Sequence, residues 1–333
     1  MVKKNLTEKN AADTQTNEQK LKELVQSYLH PKDTQYIRTG IHAFDLLIGD
    51  GVPRGRVIEI LGPEMAGKSL LFWIIARAWQ KAGGIVVLSD AEAKTPKFYI
   101  EQLGINTNEL IYYISNTIEE VSDDMDETIA TIRNVSDAPI LWGIDSIAAL
   151  NSESEYEDEK DARGNPILKD SQQPARVAAS MSQFFRRKNK LFYKEDVTLV
   201  CVNQLREKIG VMFGKNTESP GGRALRHYAT IRIEINKGKK FEVGEDKDVR
   251  GQYAHFNVIK NQVAEPFRKA ELLINFGGTG YDAYHGLEDV LLKSKRISVK
   301  DLRNYQCGED AFPKKDLSEY VKSHEEQLLK GWV

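Results

Sequence analysis

Gly62-Pro-Glu-Met-Ala-Gly67-Lys68-Ser69 has the spacing of a phosphate-binding loop, Gly-x-x-x-x-Gly-Lys-Ser. Glycines at both ends let successive backbone N–H groups turn inward around phosphate oxygens. A helix beginning at the last residues adds unpaired donors and the positive end of its dipole. Lys68 is then expected to reach the β- and γ-phosphates of a nucleoside triphosphate, and the Ser69 hydroxyl to ligate Mg²⁺. Pro63, Glu64, Met65 and Ala66 form the arch and Leu70 continues into the helix, so the expected nucleotide-binding run is Gly62 to Leu70.

A metal-dependent phosphate site also needs an acid at the end of a nearby strand. Pro139-Ile-Leu-Trp-Gly-Ile-Asp145 is an apolar run ending in one. Asp145 is expected to hold the water shell of the Mg²⁺; a helix N-cap is its alternative reading. Hydrolysis further needs a group that orients the attacking water. Val86-Val-Leu-Ser-Asp90-Ala-Glu92 carries two acids at the end of another such run. Strand C-termini of a parallel sheet share one side, so Glu92 can face the γ-phosphate. Asp90 competes for that role, and a solvated loop acid is the plain reading.

These groups meet only if the runs that carry them are neighbouring strands. Apolar runs occur at 56–61, 84–90, 110–115, 139–145, 197–203 and 229–236, with helical patterns between several of them, including 69–82 after the phosphate loop. Near-continuous apolar strands separated by helices imply an α/β fold with a mostly parallel sheet covered on both faces. Gly143 lies inside one run, where a glycine ordinarily weakens a strand. After residue 229 the pattern turns to strands and hairpins, with Arg250–Gln262 as a later strand and a Gly-rich turn at 275–282. Residues 284–333 read as helical. Residues 1–18 read as disordered, and Leu21, Leu24, Val25 and Leu29 have helical spacing closed by Pro31. That short amphipathic helix needs its own domain or a neighbouring subunit to cover its face. The expected divisions are 1–35, 36–280 and a small C-terminal module, 281–333.

The 333 residues carry 47 basic and 49 acidic side chains. Bulk charge therefore points to no polyanion, and any nucleic-acid role must rest on a local basic surface. Cys201 sits in an apolar run, so no bond to Cys307 is expected and a reducing compartment is the default. The polar N-terminus has no apolar leader core and no run approaches eighteen apolar residues, so neither secretion nor a membrane span is expected. A cytoplasmic protein follows.

The apolar run at 197–203 does not end in a tight turn. It opens into a long segment with Arg206, Lys208, Ile209, Met212, Phe213, Gly221, Gly222, Arg223 and Arg226. Cations can meet phosphates with a salt-dependent affinity. Glycines allow close backbone approach, and exposed apolar side chains can lie against bases. Such a loop suits single-stranded nucleic acid and a protein partner equally.

Together, GVPRGRVIEILGPEMAGKS, SDAEAKTPKFYIEQLGI, IDSIAAL, VNQLREKIGVMFGKNTESPGGRALRHYATIRIEI and VIKNQVAEPFRKAE resemble, in the same order, segments of the RecA family of DNA strand-exchange proteins. The similarity runs from about Thr39 to about Phe276. KIGVMFG…GGRAL is its most specific part, because P-loop ATPases in general lack it. The resemblance implies a P-loop ATPase core of RecA type and a DNA-dependent ATPase using ATP and Mg²⁺. It implies a homologous recombinase that forms a helical filament on single-stranded DNA, with ATP at each subunit interface, and exchanges strands with homologous duplex DNA in a bacterial or phage-infected cell. At matching positions it makes Glu92 the water-polarising glutamate, stacks Tyr99 on adenine and has Gln204 sense the γ-phosphate; Glu92, Gln204 and Lys68 form the catalytic set. The segment after Gln204 becomes the second DNA-binding loop, with Arg206, Lys208, Ile209, Met212, Phe213, Gly221, Gly222 and Arg223 as contacts. Arg186 matches a DNA-contacting arginine, Arg176 is a further candidate, and the Leu21–Leu29 helix docks on the adjacent core.

Two segments depart from the family pattern. The first DNA loop carries an acidic cluster, Glu153, Glu155, Glu157, Asp158 and Glu159, readable as a solvated loop or as a regulatory segment. The family's Lys-x-Lys pair, which reaches a neighbour's phosphates, is Lys260-Asn-Gln262 here. A neutral amide does not stabilise developing charge as a cation does, so turnover is in question. These departures motivate a second reading, a non-polymerising ATP- and DNA-binding mediator of recombination. A hexameric helicase on the same core is a third, disfavoured by the specific second loop. Lys293, Lys295, Arg296, Lys300 and Arg303 either guide duplex DNA or form a solvated face.

Overall fold

The computed structural model describes residues 19, 20, 22, 33–154, 173–207, 217–218, 222–278 and 280–329. The chain divides into two compact units, Met1–Gln35 and Tyr36–Val333. In the first, Gln19, Lys20 and Lys22 are helical and exposed. Leu21, Leu24, Val25 and Leu29 lie outside the described residues.

The second unit opens with β1 (Tyr36–Ile37), α1 (His42–Ile48) and β2 (Val52–Pro53). Strand and helix then alternate: β3 (Val57–Gly62), α2 (Lys68–Lys81), β4 (Ile85–Asp90), α3 (Lys97–Gln102), β5 (Leu110–Ile114), α4 (Ile118–Arg133), β6 (Ile140–Asp145), α5 (Gln173–Lys194) and β7 (Val197–Gln204). Short β8 (Arg206–Glu207) and β9 (Thr217–Glu218) precede α6 (Gly222–Tyr228). A long hairpin of β10 (Ile231–Val243) and β11 (Asp248–Asn261) is followed by β12 (Lys269–Asn275) and β13 (Gly280–Tyr281).

Nine of these strands form one sheet in the order β13-β12-β11-β10-β3-β7-β6-β4-β5. From β10 to β5 every neighbouring pair is parallel; β11, β12 and β13 extend the sheet antiparallel. The sheet is α/β and mostly parallel, as the apolar runs required. Its register matters most for function. Gly62 lies opposite Gln204, and Asp145 lies opposite both Val202 and Asp90. Four strand ends carrying chemical groups therefore meet on one side.

Helices cover both faces of this sheet. α2 buries residues all round, from Leu70 through Trp79 with Arg77 the half-buried exception, as expected for a helix apolar on every side. α4 is amphipathic and buries Ile118, Val121, Met125, Ile129 and Ile132. Its start is fixed by a capping box in which the Thr117 hydroxyl accepts from Glu120 N–H and the Glu120 carboxylate accepts from Thr117 N–H. α4 packs with Met181, Phe184 and Phe185 of α5 over Trp142, Ile144 and Leu199.

Gly143 is not the weak point that its type suggested. A Cβ there would lie 2.3 Å from the Phe72 ring of α2, so the glycine makes room for that ring against β6. The helical expectation for 284–333 is corrected. Between α7 (Leu287–Lys293) and α8 (Leu317–Ser323), with α9 (Glu325–Leu329) after it, lies a three-stranded antiparallel sheet: β14 (Ser298–Val299), β15 (Asn304–Cys307) and β16 (Asp310–Pro313). Strands of two to four residues are too short to show a period of two. Leu287, Leu291, Tyr305, Phe312 and Val321 share one apolar cluster with α2 and β10–β12. Cys201 and Cys307 are both buried and free. Among the described residues no helix is long and apolar enough to cross a membrane.

Gly143→Ala should lower stability by about 1–3 kcal/mol, the usual cost of overpacking a filled core. Denaturant unfolding checks this, and adding Phe72→Leu should recover part of the loss. An unchanged midpoint would show that the contact is not tight.

Candidate nucleotide-binding site

The Gly62–Ser69 loop leaves β3 and enters α2, held from both sides. A Cβ at Gly62 would lie 2.1 Å from the Ile235 carbonyl oxygen of β10. Gly67 is left-handed at φ 95°, and a Cβ there would lie 2.4 Å from the Tyr281 hydroxyl, which donates to Gly67 O at 3.1 Å. Both glycines are thus required by close approach as well as by the turn. Pro63 and Glu64 begin the arch, Met65 at its crest is 85% exposed, and Ala66 and Leu70 are buried beneath it. The Lys68 ammonium donates to Pro63 O at 2.7 Å. Burial pulls its pKa down, opposed by Asp145, Glu64 and Glu92.

Asp145, at the end of β6, accepts a hydrogen bond from the Ser69 side chain. Burial lifts its pKa to about 6 against that bond, and Glu92 and Asp90 push the same way. The turn that follows, Ile147–Ala149, has Ser146 at its N-cap position, so Asp145 is not the cap. Hard oxygens on Ser69 and Asp145 suit a small divalent cation, and a nearby cation would keep this carboxylate ionised. Among the described residues no group of three or more His, Cys, Asp or Glu side chains forms a metal cage.

The two acids after β4 divide the work. Asp90 is buried and accepts from Glu92 N–H (2.9 Å), Ala93 N–H (2.8 Å), Thr95 Oγ1 (3.0 Å) and Tyr112 Oη (2.8 Å). It is consumed in shaping its own turn, in which Ala93 is left-handed at φ 49°. Glu92 points the other way. Its Oε1 accepts from Ser146 Oγ at 2.9 Å and Gln204 Nε2 at 3.2 Å, and its Oε2 pairs with Lys94 Nζ at 3.0 Å. Glu92, Gln204, Lys68, Ser69, Asp145 and Tyr99 line one cavity of about 390 Å³. Tyr99, from α3, is partly exposed on its wall.

The RecA N-terminal domain family matches residues 13–281 of the chain. Protein RecA of Porphyromonas gingivalis is 39% identical over 248 residues, covering 74% of this chain and 68% of that protein. Protein RecA of Oceanobacillus iheyensis is 34% identical over 299 residues, covering 88% and 80%. Protein RecA of Thermus aquaticus is 34% identical over 298 residues, covering 88% and 82%. The chain belongs to the RecA family. Its function is of RecA recombinase type, as the motifs implied.

The remaining positions marked by the RecA resemblance do not line this cavity where they are described. Lys260 of β11 stands apart from it. Its ammonium donates to the carbonyls of Arg226 (3.1 Å) and His227 (2.8 Å) at the C-terminal end of α6. Directly after Gln204, β8 pairs antiparallel with β9, Arg206 opposite Glu218, so the second loop is closed at its base one residue from the cavity. Lys208, Ile209, Met212, Phe213 and Gly221 lie outside the described residues. Gly222 opens α6 at φ 68°, where a Cβ would lie 2.8 Å from Ala178 Cβ of α5. Arg223 and Arg186 are exposed; Arg186 donates to Ser182 O at 3.2 Å, and Arg176 donates to Ser154 O. Of the acidic cluster, Glu153 N–H donates to Glu119 at 3.1 Å, and residues 155–159 lie outside the described residues. Arg296 donates to Leu328 O within the C-terminal region.

Sequence reasoning missed Ser146, Lys94 and Tyr281. Ser146 and Lys94 were within two residues of expected site acids, a proximity that could have found them. Tyr281 reaches the loop from 214 residues away, which no local signal encodes. Asp90→Ala should cost about 2–4 kcal/mol, because two backbone donors and two hydroxyls lose a buried acceptor. Glu92→Ala should cost under about 1 kcal/mol at its partly solvated position. Thermal unfolding of the two variants compares them, and equal losses would remove the structural assignment of Asp90.

Proposed function

We propose that the chain is an ATP-dependent homologous recombinase that polymerises on single-stranded DNA and exchanges strands with homologous duplex. One observation carries this reading. Gln204 is the hydrogen-bond partner of Glu92 and stands two residues before Arg206, where the paired base of the glycine-rich basic loop begins. The proposed DNA loop thus begins next to a side chain of the nucleotide site.

In this reading Lys68 turns from Pro63 O to the β- and γ-phosphate oxygens of ATP, and Tyr99 stacks on the base. Ser69 and Asp145 hold Mg²⁺, which supplies positive charge against the phosphate oxygens when bound. Glu92 orients the attacking water and takes its proton as the water oxygen bonds to the γ-phosphorus and the bond from that phosphorus to the bridging oxygen breaks, releasing ADP and phosphate. Gln204 follows the γ-phosphate and carries that state into the β8–β9 base. Arg206, Lys208, Arg223 and Arg186 contact DNA phosphates, while Ile209, Met212 and Phe213 lie against bases and Gly221 and Gly222 let the backbone close in. Lys260 reaches the phosphates of a neighbouring subunit, so ATP sits at subunit interfaces. The Leu21–Leu29 helix joins one subunit to the next. The mediator reading is favoured by Gln262, a neutral amide two residues after Lys260. Its signature is DNA binding without cooperativity.

The deciding experiment is the ATPase rate with and without single-stranded DNA. DNA should stimulate hydrolysis cooperatively, and Glu92→Gln should lower the rate at least about 10²-fold while nucleotide binding persists. Nucleotide and DNA binding with negligible, unstimulated hydrolysis in the wild type would move the mediator reading ahead.

Asp145 gives a pH dependence. Its raised pKa, about 6, leaves it ionised above that pH, so Mg²⁺-dependent affinity for ATP should be flat from pH 7 to 8. Below pH 6 the metal must displace a proton, and affinity should fall by up to about tenfold per pH unit. Asp145→Asn should weaken binding at pH 7.5 and flatten the profile. A wild-type titration flat down to pH 5 would exclude Asp145 as a metal-holding acid.

A further inference from the structure

Among the charged side chains that line the cavity proposed to take a polyphosphate, acids outnumber cations. Glu64, Asp90, Glu92 and Asp145 supply four carboxylates, against the ammoniums of Lys68 and Lys94. Four negative charges against two positive leave the lining at a formal −2. Such a site repels an anion unless every cation in it is correctly aimed.

Lys94 is aimed. Its side chain is 78% exposed, yet its backbone is clamped on both sides. Asp90 accepts from Glu92 N–H and Ala93 N–H before it and from the Thr95 hydroxyl after it. The left-handed Ala93 turns the chain so that the ammonium meets Glu92 Oε2 at 3.0 Å. The other oxygen of Glu92 is already occupied by Ser146 and Gln204. Both oxygens of the proposed water-orienting acid are therefore engaged by protein donors. The bond to Lys94 is the solvent-exposed one, and exposed ion pairs are weak and easily exchanged.

We propose that Lys94 is a γ-phosphate-binding residue that restrains Glu92 until a triphosphate arrives. Resting on the nucleotide-site reading above, this has the ammonium leave Glu92 Oε2 for a γ-phosphate oxygen, a more highly charged acceptor with which it forms a stronger charge-assisted hydrogen bond. The exchange frees Oε2 to accept from the attacking water. A diphosphate offers no γ-oxygen, so with ADP the Lys94–Glu92 pair persists and Glu92 stays occupied. Lys94 thereby distinguishes ATP from ADP from within its own subunit.

The test is equilibrium binding of a hydrolysis-resistant ATP analogue and of ADP, each with Mg²⁺, to the full chain. Wild type, Lys94→Met, Lys94→Gln and Lys94→Arg are compared. The analogue should bind Lys94→Met about tenfold more weakly than wild type, the scale of one hydrogen bond to a charged group, while ADP affinity changes less than about twofold. Lys94→Gln should behave like Lys94→Met, and Lys94→Arg should restore most of the discrimination. Thermal midpoints should match wild type, since the side chain is outside the core. If the wild type binds both nucleotides and the neutral variants keep its analogue-to-ADP ratio, the proposal is overturned and the nucleotide site stands. If the wild type binds neither, the site reading fails and takes the proposal with it. Loss of folding in both neutral variants would make Lys94 structural and also overturn the proposal.

Discussion

One buried carboxylate fixes the strands on which the site depends. Glu59, fully buried in the middle of β3, accepts from Asn203 of β7 at 3.0 Å and is paired with Arg232 of β10. A charge in a sheet interior is tolerated only when paired and hydrogen-bonded. A slip of one residue in β10 would turn Arg232 to the opposite face and leave the Glu59 charge unpaired, at a cost of about 3–5 kcal/mol, and a slip in β7 would remove the Asn203 hydrogen bond, at about 1.5–3 kcal/mol. The triad therefore selects the register that sets Gly62 opposite Gln204. β6 and β4 continue the same alignment and bring in Asp145 and Asp90.

From that register the local geometry follows. β10 runs on past the end of β3, so its Ile235 carbonyl passes against Gly62 and forbids any side chain there. Tyr281, on the far edge strand, closes over Gly67 by the same logic. The phosphate loop is thus shaped by contacts as much as by its own conformational freedom. Across the cavity, Asp90 satisfies four donors and so frees its neighbour Glu92 to face inward. An acid at a strand end can serve structure or chemistry, and hydrogen-bond saturation decides which.

Much of this was legible in the sequence because its signals are local. Apolar runs marked five sheet strands to within a residue and the start, but not the far end, of β10 (Ile231–Val243), and the Gly-Lys-Ser loop lay between the strand and helix that it needs. What escaped depends on partners distant in sequence. Glu59 interrupts an apolar run and gains meaning only beside Arg232, 173 residues away. Gly143 read as a flaw until Phe72 filled its space. Asp90 and Glu92 are equivalent by spacing and separable only by counting donors. β14, β15 and β16 are too short for any period to show.

The bond between Gln204 and Glu92 also limits what one subunit can do. A hydrogen bond to a charged acceptor contributes about 1.5–3 kcal/mol at most, and this one, at 3.2 Å, is partly exposed to solvent. Coupling of that size shifts an affinity by roughly 13- to 150-fold. In the function proposed above it would serve both directions, since whatever nucleotide did to the loop, DNA would do to the nucleotide site in equal measure. An all-or-none response to ATP requires a population shift of about 5.5 kcal/mol, more than this contact can supply. In the function proposed above, such a switch would then have to be compounded over several copies of the chain. In the filament proposed above, each subunit contributes one such bond and adjacent copies share the state, so a weak local contact suffices for a sharp collective transition.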